Sequence, residues 1–133
     1  MKIAIDGTAA SGKGTLAKGL AKKLGYDYLD TGLLYRRLAL DICEKGLTKF
    51  NLINEKGIIS NANINVLADI TLNLTLPPSD HPDLRKQEIS YLSSVIASIP
   101  EIREILFKKQ RIFANKPPSK IGVILDGRDI GSV

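Results

Sequence analysis

The stretch Gly7-Thr8-Ala9-Ala10-Ser11-Gly12-Lys13-Gly14-Thr15 decides how the rest of this chain is read. It follows a short apolar run, Ile3-Ala4-Ile5, and it opens a helical pattern. Strand, glycine-rich loop and helix in that order form the setting of a phosphate-binding loop. Such a loop wraps a polyphosphate with its backbone N–H groups. Side chains obstruct the wrapping, and Gly7, Gly12 and Gly14 leave the room it needs. Lys13 supplies positive charge for β- and γ-phosphates, and Thr15 offers a hydroxyl near the metal and phosphates. The helix that follows points its positive dipole end at the anion. The plainer alternative is a glycine-rich turn that only joins a strand to a helix, and Lys13 and Thr15 together argue against it.

Outward from this loop, the pattern alternates. Residues 2–6 read as a buried parallel strand, and 13–24 as a helix with Leu16, Leu20 and Leu24 on one face and Gly25 as its stop. Tyr26-Asp27-Tyr28-Leu29 is a short second strand. Asp30 or Thr31 then caps a helix that runs to about Lys45 and ends at Gly46. Strand, helix, strand, helix predicts a parallel sheet with crossover helices.

The middle carries weaker signals. Residues 51–58 fit a short helix or a loop, and 64–76 fit a helix early, on Val66, Leu67 and Ile70, and an extended segment late. The run 77–82 is a firm break. Leu84, Ile89, Leu92, Val95, Ile96 and Ile99 then restore helical spacing. Pro100 starts a further helix whose apolar face is Ile102, Ile105, Leu106, Ile112 and Phe113. Ile121-Gly122-Val123-Ile124-Leu125 is a continuous apolar run, as a central parallel strand requires.

Composition sets outer limits. The chain has 133 residues, 44% hydrophobic and 25% charged, which suits a globular domain. Cys43 is the single cysteine, so no intrachain disulfide forms, and a cytoplasmic, reducing setting is expected. Its apolar helical context favours a buried structural thiol over a nucleophile. No signal peptide or membrane-length apolar run is present in the sequence given. The net charge of +5 raises nucleic-acid binding. The basic residues are dispersed, however, and only four tyrosines and three phenylalanines are available for stacking. Small phosphorylated anions account for the excess equally well.

Ligands of an open parallel sheet collect beyond the carboxyl ends of its strands. Three clusters fall there: the phosphate loop, Asp30-Thr31-Gly32 with Tyr35 and Arg36 one turn on, and Asp126-Gly127-Arg128-Asp129. Asp126 closes an apolar run in a Walker-B-like arrangement, where it either holds Mg²⁺ or only orders its loop. Arg36 and Arg128 are either phosphate forks or surface ion-pair partners, and strand-end placement favours the first. Thr31 can cap a helix and contact a ligand at once. His81, in a proline-rich turn, reads as a solvated loop residue. No catalytic dyad or nucleophile elbow is found, and phosphoryl transfer needs none, since positioning and charge neutralisation carry it.

At this point the chain resembles the bacterial cytidylate kinases, which are nucleoside monophosphate kinases. The resemblance rests on Ile3 to Gly7, Ala10 to Ala17, Tyr28-Leu29-Asp30-Thr31-Gly32, Leu34-Tyr35-Arg36, Ile99 to Arg103, Gln110-Arg111 and Leu125 to Gly131. It implies a P-loop nucleoside triphosphate hydrolase-like three-layer α/β/α fold with a parallel sheet. One P-loop kinase domain over 1–133 is implied, with 57–99 as the monophosphate-binding region. The implied reaction moves the γ-phosphoryl group of Mg-ATP onto CMP or dCMP, in pyrimidine nucleotide metabolism. Residues Gly7 to Thr15 match the ATP loop, with Thr15 and Asp126 towards the metal. Lys13 and Arg128 are the implied catalytic residues, Lys13 neutralising the transferring phosphoryl and Arg128 orienting the acceptor. Thr31, Tyr35, Arg36, Arg85, Ser94, Arg103, Arg128 and Asp129 match positions around the CMP. Among these, Arg36 falls on the acceptor monophosphate, Arg85 in the monophosphate-binding region, Arg128 on the phosphate side, Thr31, Ser94 and Arg103 near the base, and Asp129 against the cytosine amino group. A carboxylate acceptor suits an exocyclic amine, which uracil lacks.

The sequence departs from the family in two places. Residues 57–82 lack a clear copy of the small strand-rich insert of some members, and the sequence given stops at Val133. The family continues with a further core strand, an arginine-rich lid, a ribose-contacting segment and a last strand. An incomplete kinase is therefore expected, with an open edge on the first strand that invites self-association, or poor order over 127–133. Another small-molecule P-loop kinase, or a nucleotide-binding chain without turnover, are the alternatives.

Overall fold

The computed structural model of the chain describes residues 2–6, 13–47, 54–56 and 58–127. Three short segments form strands: β1 (Lys2–Asp6), β2 (Asp27–Asp30) and β3 (Val123–Gly127). They make one parallel sheet in the order β1-β3-β2. Parallel neighbours require crossover connections, and α1 (Lys13–Leu24) lies between β1 and β2 in the chain. β3 is the central strand, and Val123, Ile124 and Leu125 are all buried, as its unbroken apolar run predicts. Ile121 lies outside the strand and is exposed. Among the described strands, β1 and β2 form the two edges.

The packing of α1 differs from the expected leucine face. Ala17 and Ala21 are buried with Ile124, and Ile3, Tyr26 and Tyr28 pack against them. Leu16 is 75% exposed, and Leu20 and Leu24 are also outside this core. A helix resting close on a sheet accepts small side chains at the contact line, so alanines take it and the leucines flank it. The helix ends as predicted at Gly25, whose φ of 71° is left-handed. Tyr26 N–H returns to the Ala21 carbonyl at 2.9 Å, which satisfies a helix-end acceptor.

The chain divides into two compact units, Met1–Leu34 with Phe107–Val133, and Tyr35–Leu106. The first holds the sheet. The second is helical and contains the expected 57–99 region. Its elements are most of α2 (Thr31–Glu44), α3 (Asn61–Leu72), a single 3₁₀ turn (Pro82–Arg85), α4 (Gln87–Ala97) and the start of α5 (Pro100–Asn115). Leu38, Ile42, Leu67, Leu84, Ile96, Ile102 and Leu106 are fully buried in it. Gly46 follows α2 with φ 83°, and Ser60 Oγ caps α3 by accepting from the Asn63 N–H at 3.2 Å.

Several boundaries sharpen. The helix expected early in 64–76 runs Asn61–Leu72, and Thr71, in the part expected to be extended, is buried in that helix and donates to the Leu67 carbonyl at 2.7 Å. Leu67 and Ile70 are buried, whereas Val66 is exposed. The helical signal from 83 to 99 is broken at Lys86, whose extended backbone separates the 3₁₀ turn from α4. On α5 Ile102, Leu106 and Phe113 are buried, and Ile112 is exposed. The 51–58 segment is described only at 54–56 and 58, where Asn54 Oδ1 accepts from the Lys56 and Ile58 N–H groups as in a loop. The expectation for 127–133 falls, beyond Gly127, outside the described residues. Among the described residues no helix is long and apolar enough to cross a membrane.

Candidate functional site

The carboxyl ends of the strands meet in register. Ile5 and Asp30 both lie beside Asp126, and Asp6 pairs with Gly127. The chain therefore leaves β1 and β3 from neighbouring points of one sheet edge, towards 7–12 and 128–129 respectively. Those segments carry Gly7, Thr8, Ala9, Ala10, Ser11 and Gly12 of the loop, and Arg128 and Asp129. They lie outside the described residues, as do the side chains of Lys13, Gly14, Thr15 and Asp126.

β2 passes directly into α2. Asp30 Oδ1 accepts from the Leu33 N–H at 3.1 Å, so Asp30 rather than Thr31 caps the helix. Thr31 is the first helical residue and is buried, with 8% of its surface exposed. Thr31 is therefore not the capping residue.

The helical unit gathers four further candidates into two pairs of contacts. Arg36 Nη1 donates a long, 3.4 Å hydrogen bond to the Leu84 carbonyl, 48 residues along the chain. Leu84 is fully buried within the 3₁₀ turn, and Arg85 follows it. Arg36 and Arg85 are thereby brought to one turn, with the Arg85 side chain largely in solvent and 3.9 Å from Asp80. Beside Arg36 on α2, the Tyr35 phenol hydrogen-bonds Arg103, in the first turns of α5. Burial pushes the Tyr35 pKa up, and the Arg103 charge and hydrogen bond offset part of that rise. The phenol is therefore neutral at physiological pH and anchors a guanidinium. Ser94 is exposed, and its hydroxyl donates to the Ser90 carbonyl of its own helix at 3.1 Å.

Two other titratable groups differ from their expected surroundings. Cys43 is half-buried rather than buried, and it is a free thiol. Burial, and then the negative charge of Glu88, raise its pKa and disfavour the nucleophilic thiolate. His81 is not simply solvated. It caps the 3₁₀ turn, with Nδ1 accepting from the Asp83 N–H at 3.0 Å. Pro82 at the first position of that turn is the sequence signal that pointed to it. The Leu84 carbonyl, by contrast, is a backbone acceptor that no residue type marks. Among the described residues no group of three or more His, Cys, Asp or Glu side chains forms a metal cluster.

A family model described as cytidylate kinase matches residues 3–133. A cytidylate kinase of Paramagnetospirillum magneticum is 44% identical over 133 residues, covering 98% of this chain and 56% of the relative. Those of Methylocella silvestris and Caldanaerobacter subterraneus subsp. tengcongensis are 44% and 43% identical, cover all of this chain, and are themselves covered to 55% and 57%. The chain thus spans a little over half the length of these relatives. With a parallel α/β sheet, a glycine-rich stretch between its first strand and first helix, and a family match over almost every residue, this chain belongs to the cytidylate kinase family.

Proposed function

We propose that the chain serves phosphoryl transfer from ATP to CMP or dCMP. An oxygen of the acceptor monophosphate attacks the γ-phosphorus, and the bond from that phosphorus to the β–γ bridging oxygen breaks. The products are ADP and CDP or dCDP. The reading is supported above all by the setting of the 7–15 stretch, which leaves the end of β1 and enters α1 beside a parallel sheet.

In this reading the backbone N–H groups of 7–15 hold the ATP phosphates and Lys13 neutralises charge on the transferring group. Thr15 and Asp126 offer a hydroxyl and a carboxylate, hard oxygen donors of the kind Mg²⁺ takes. Mg²⁺ would supply charge neutralisation across the donor phosphates. Arg36, Arg85 and Arg128 orient the acceptor phosphate, and Arg36 and Arg85 share one turn for that purpose. Thr31, Ser94 and Arg103 serve the base, with Tyr35 holding Arg103. Asp129 accepts from the cytosine amino group.

A coupled ADP-release assay over CMP, dCMP, UMP, AMP and shikimate, beside calorimetric titration of ATP and CMP, tests this. Turnover with CMP or dCMP above the others is expected. A preference for UMP sinks the role of Asp129, and a preference for AMP or shikimate replaces the acceptor. Binding of both nucleotides without ADP release reduces the chain to a nucleotide binder. Self-association along the edge of β1 not paired with β3 belongs to the same proposal, and light scattering after size exclusion tests it.

A further inference from the structure

A chain of hydrogen bonds links the single histidine to Arg36. His81 Nδ1 accepts from the Asp83 N–H at 3.0 Å, and the His81 carbonyl accepts from the Leu84 N–H at 3.1 Å. These two bonds fix the one-turn segment Pro82–Arg85 at its start. The Leu84 carbonyl of that turn is the acceptor for Arg36 Nη1. A single turn has too few internal hydrogen bonds to hold its own shape, so its cap carries a large share of its order. We propose that His81 is a positioning residue for Arg36: by capping the Pro82–Arg85 turn, it holds the Leu84 carbonyl where it aims the guanidinium at the acceptor phosphate.

The cap requires an unprotonated Nδ1. A proton there removes the lone pair that receives the Asp83 N–H. It also turns Nδ1 towards the Asp83 carboxylate, whose Oδ2 is already 3.9 Å away. The other charges around the turn are Asp80, which pairs with Arg85, and Lys86, 3.3 Å from Asp83 Oδ1. Glu88 lies in the first turn of α4, which packs on this segment, and Arg36 reaches it from α2.

This inference rests on the proposed role of Arg36 in acceptor binding, and its test separates the two. The variants are His81→Asn, whose side-chain oxygen can also cap, and His81→Ala, which cannot. The first readout is the Arg36 side-chain N–H signal by NMR in the ligand-free chain, assigned by its loss in Arg36→Lys. His81→Ala is expected to shift that signal and increase its mobility, and His81→Asn to restore it. The second readout is CMP affinity. His81→Ala is expected to weaken CMP binding about fivefold, the scale of one lost cap, with ATP affinity unchanged. His81→Asn, which keeps a capping oxygen, is expected to retain most of the wild-type CMP affinity. An Arg36 signal indifferent to His81→Ala overturns the proposal, as do equal CMP losses in both variants. If the wild type binds no CMP, the functional reading fails, and the Arg36 signal alone decides whether His81 holds that side chain.

Discussion

Asp27 Oδ2 accepts a 2.8 Å hydrogen bond from the Ser119 N–H, 92 residues further along the chain. The same residue uses its own N–H to donate to the Gly122 carbonyl at 3.0 Å. Asp27 thus clamps the turn before β3 from both ends of its own structure, and this sets β2 against β3 with Asp27 opposite Val123. The clamp is half-buried and one partner is charged, which places its contribution at about 1–2 kcal/mol. Asp27→Ala is expected to lower unfolding free energy by that amount in urea titrations. Asp27→Asn retains an acceptor and should lose clearly less. Equal losses in the two variants would show that the acceptor is not what stabilises the turn.

The contact line of α1 predicts an asymmetry that a leucine-face reading reverses. Ala17 is fully buried beside Ile124, and Leu16 is 75% exposed. Ala17→Leu adds three carbons to a filled site and should cost about 1–3 kcal/mol. Leu16→Ser touches none of this packing and should stay within about 0.5 kcal/mol of the parent. Thermal or urea denaturation of the two variants decides the matter, and a larger loss for Leu16→Ser would overturn the assignment of the buried face.

The same helix marks what was legible in the sequence and what was not. Its limits could be read because Gly25 requires a left-handed φ and the apolar run Ile3-Ala4-Ile5 precedes the loop. Its buried side could not, because Leu16, Leu20 and Leu24 recur at the same spacing as Ala17 and Ala21. Distance to the sheet, not hydrophobicity, selects between the two stripes. The site divides in a similar way. Tyr35 and Arg36 were visible through their spacing from Asp30 and Thr31. The cap was open between Asp30 and Thr31, since both residue types serve, and only the bond to the Leu33 N–H decides it. The Leu84 carbonyl left no trace, because every residue but its neighbours' geometry offers the same acceptor.

Cys43 should react slowly with alkylating agents. Burial is the larger cause of its raised pKa and Glu88 the smaller. The midpoint of a pH–rate profile with iodoacetamide is therefore expected above the ordinary thiol value. Glu88→Gln should move it down only partway, because burial remains. A full return to the ordinary value in Glu88→Gln would mean that charge, not desolvation, controls this thiol.

Tyr35 and Arg103 give a paired prediction on titration and binding. Burial raises the Tyr35 pKa, while the Arg103 charge and its hydrogen bond pull it back. Arg103→Met keeps much of the stem and removes both offsets, so the phenol should ionise at still higher pH. The chain has four tyrosines, so the Tyr35 signal is taken as the ultraviolet difference between each protein and its Tyr35→Phe counterpart. The sign for stability follows from the raised pKa. The folded chain keeps a proton that the unfolded chain releases above about pH 10, so the contribution present below that pH declines as pH rises through the folded value. The wild type should accordingly lose stability relative to Tyr35→Phe on alkaline titration. Arg103→Met should also weaken CMP binding about tenfold with ATP binding intact, the scale of one charge-assisted contact. Tyr35→Phe should weaken it less, since Arg103 keeps its charge and loses only its anchor. An Arg103→Met variant with a lowered Tyr35 pKa would sink the pairing, and one with unaltered CMP affinity would remove Arg103 from the acceptor site.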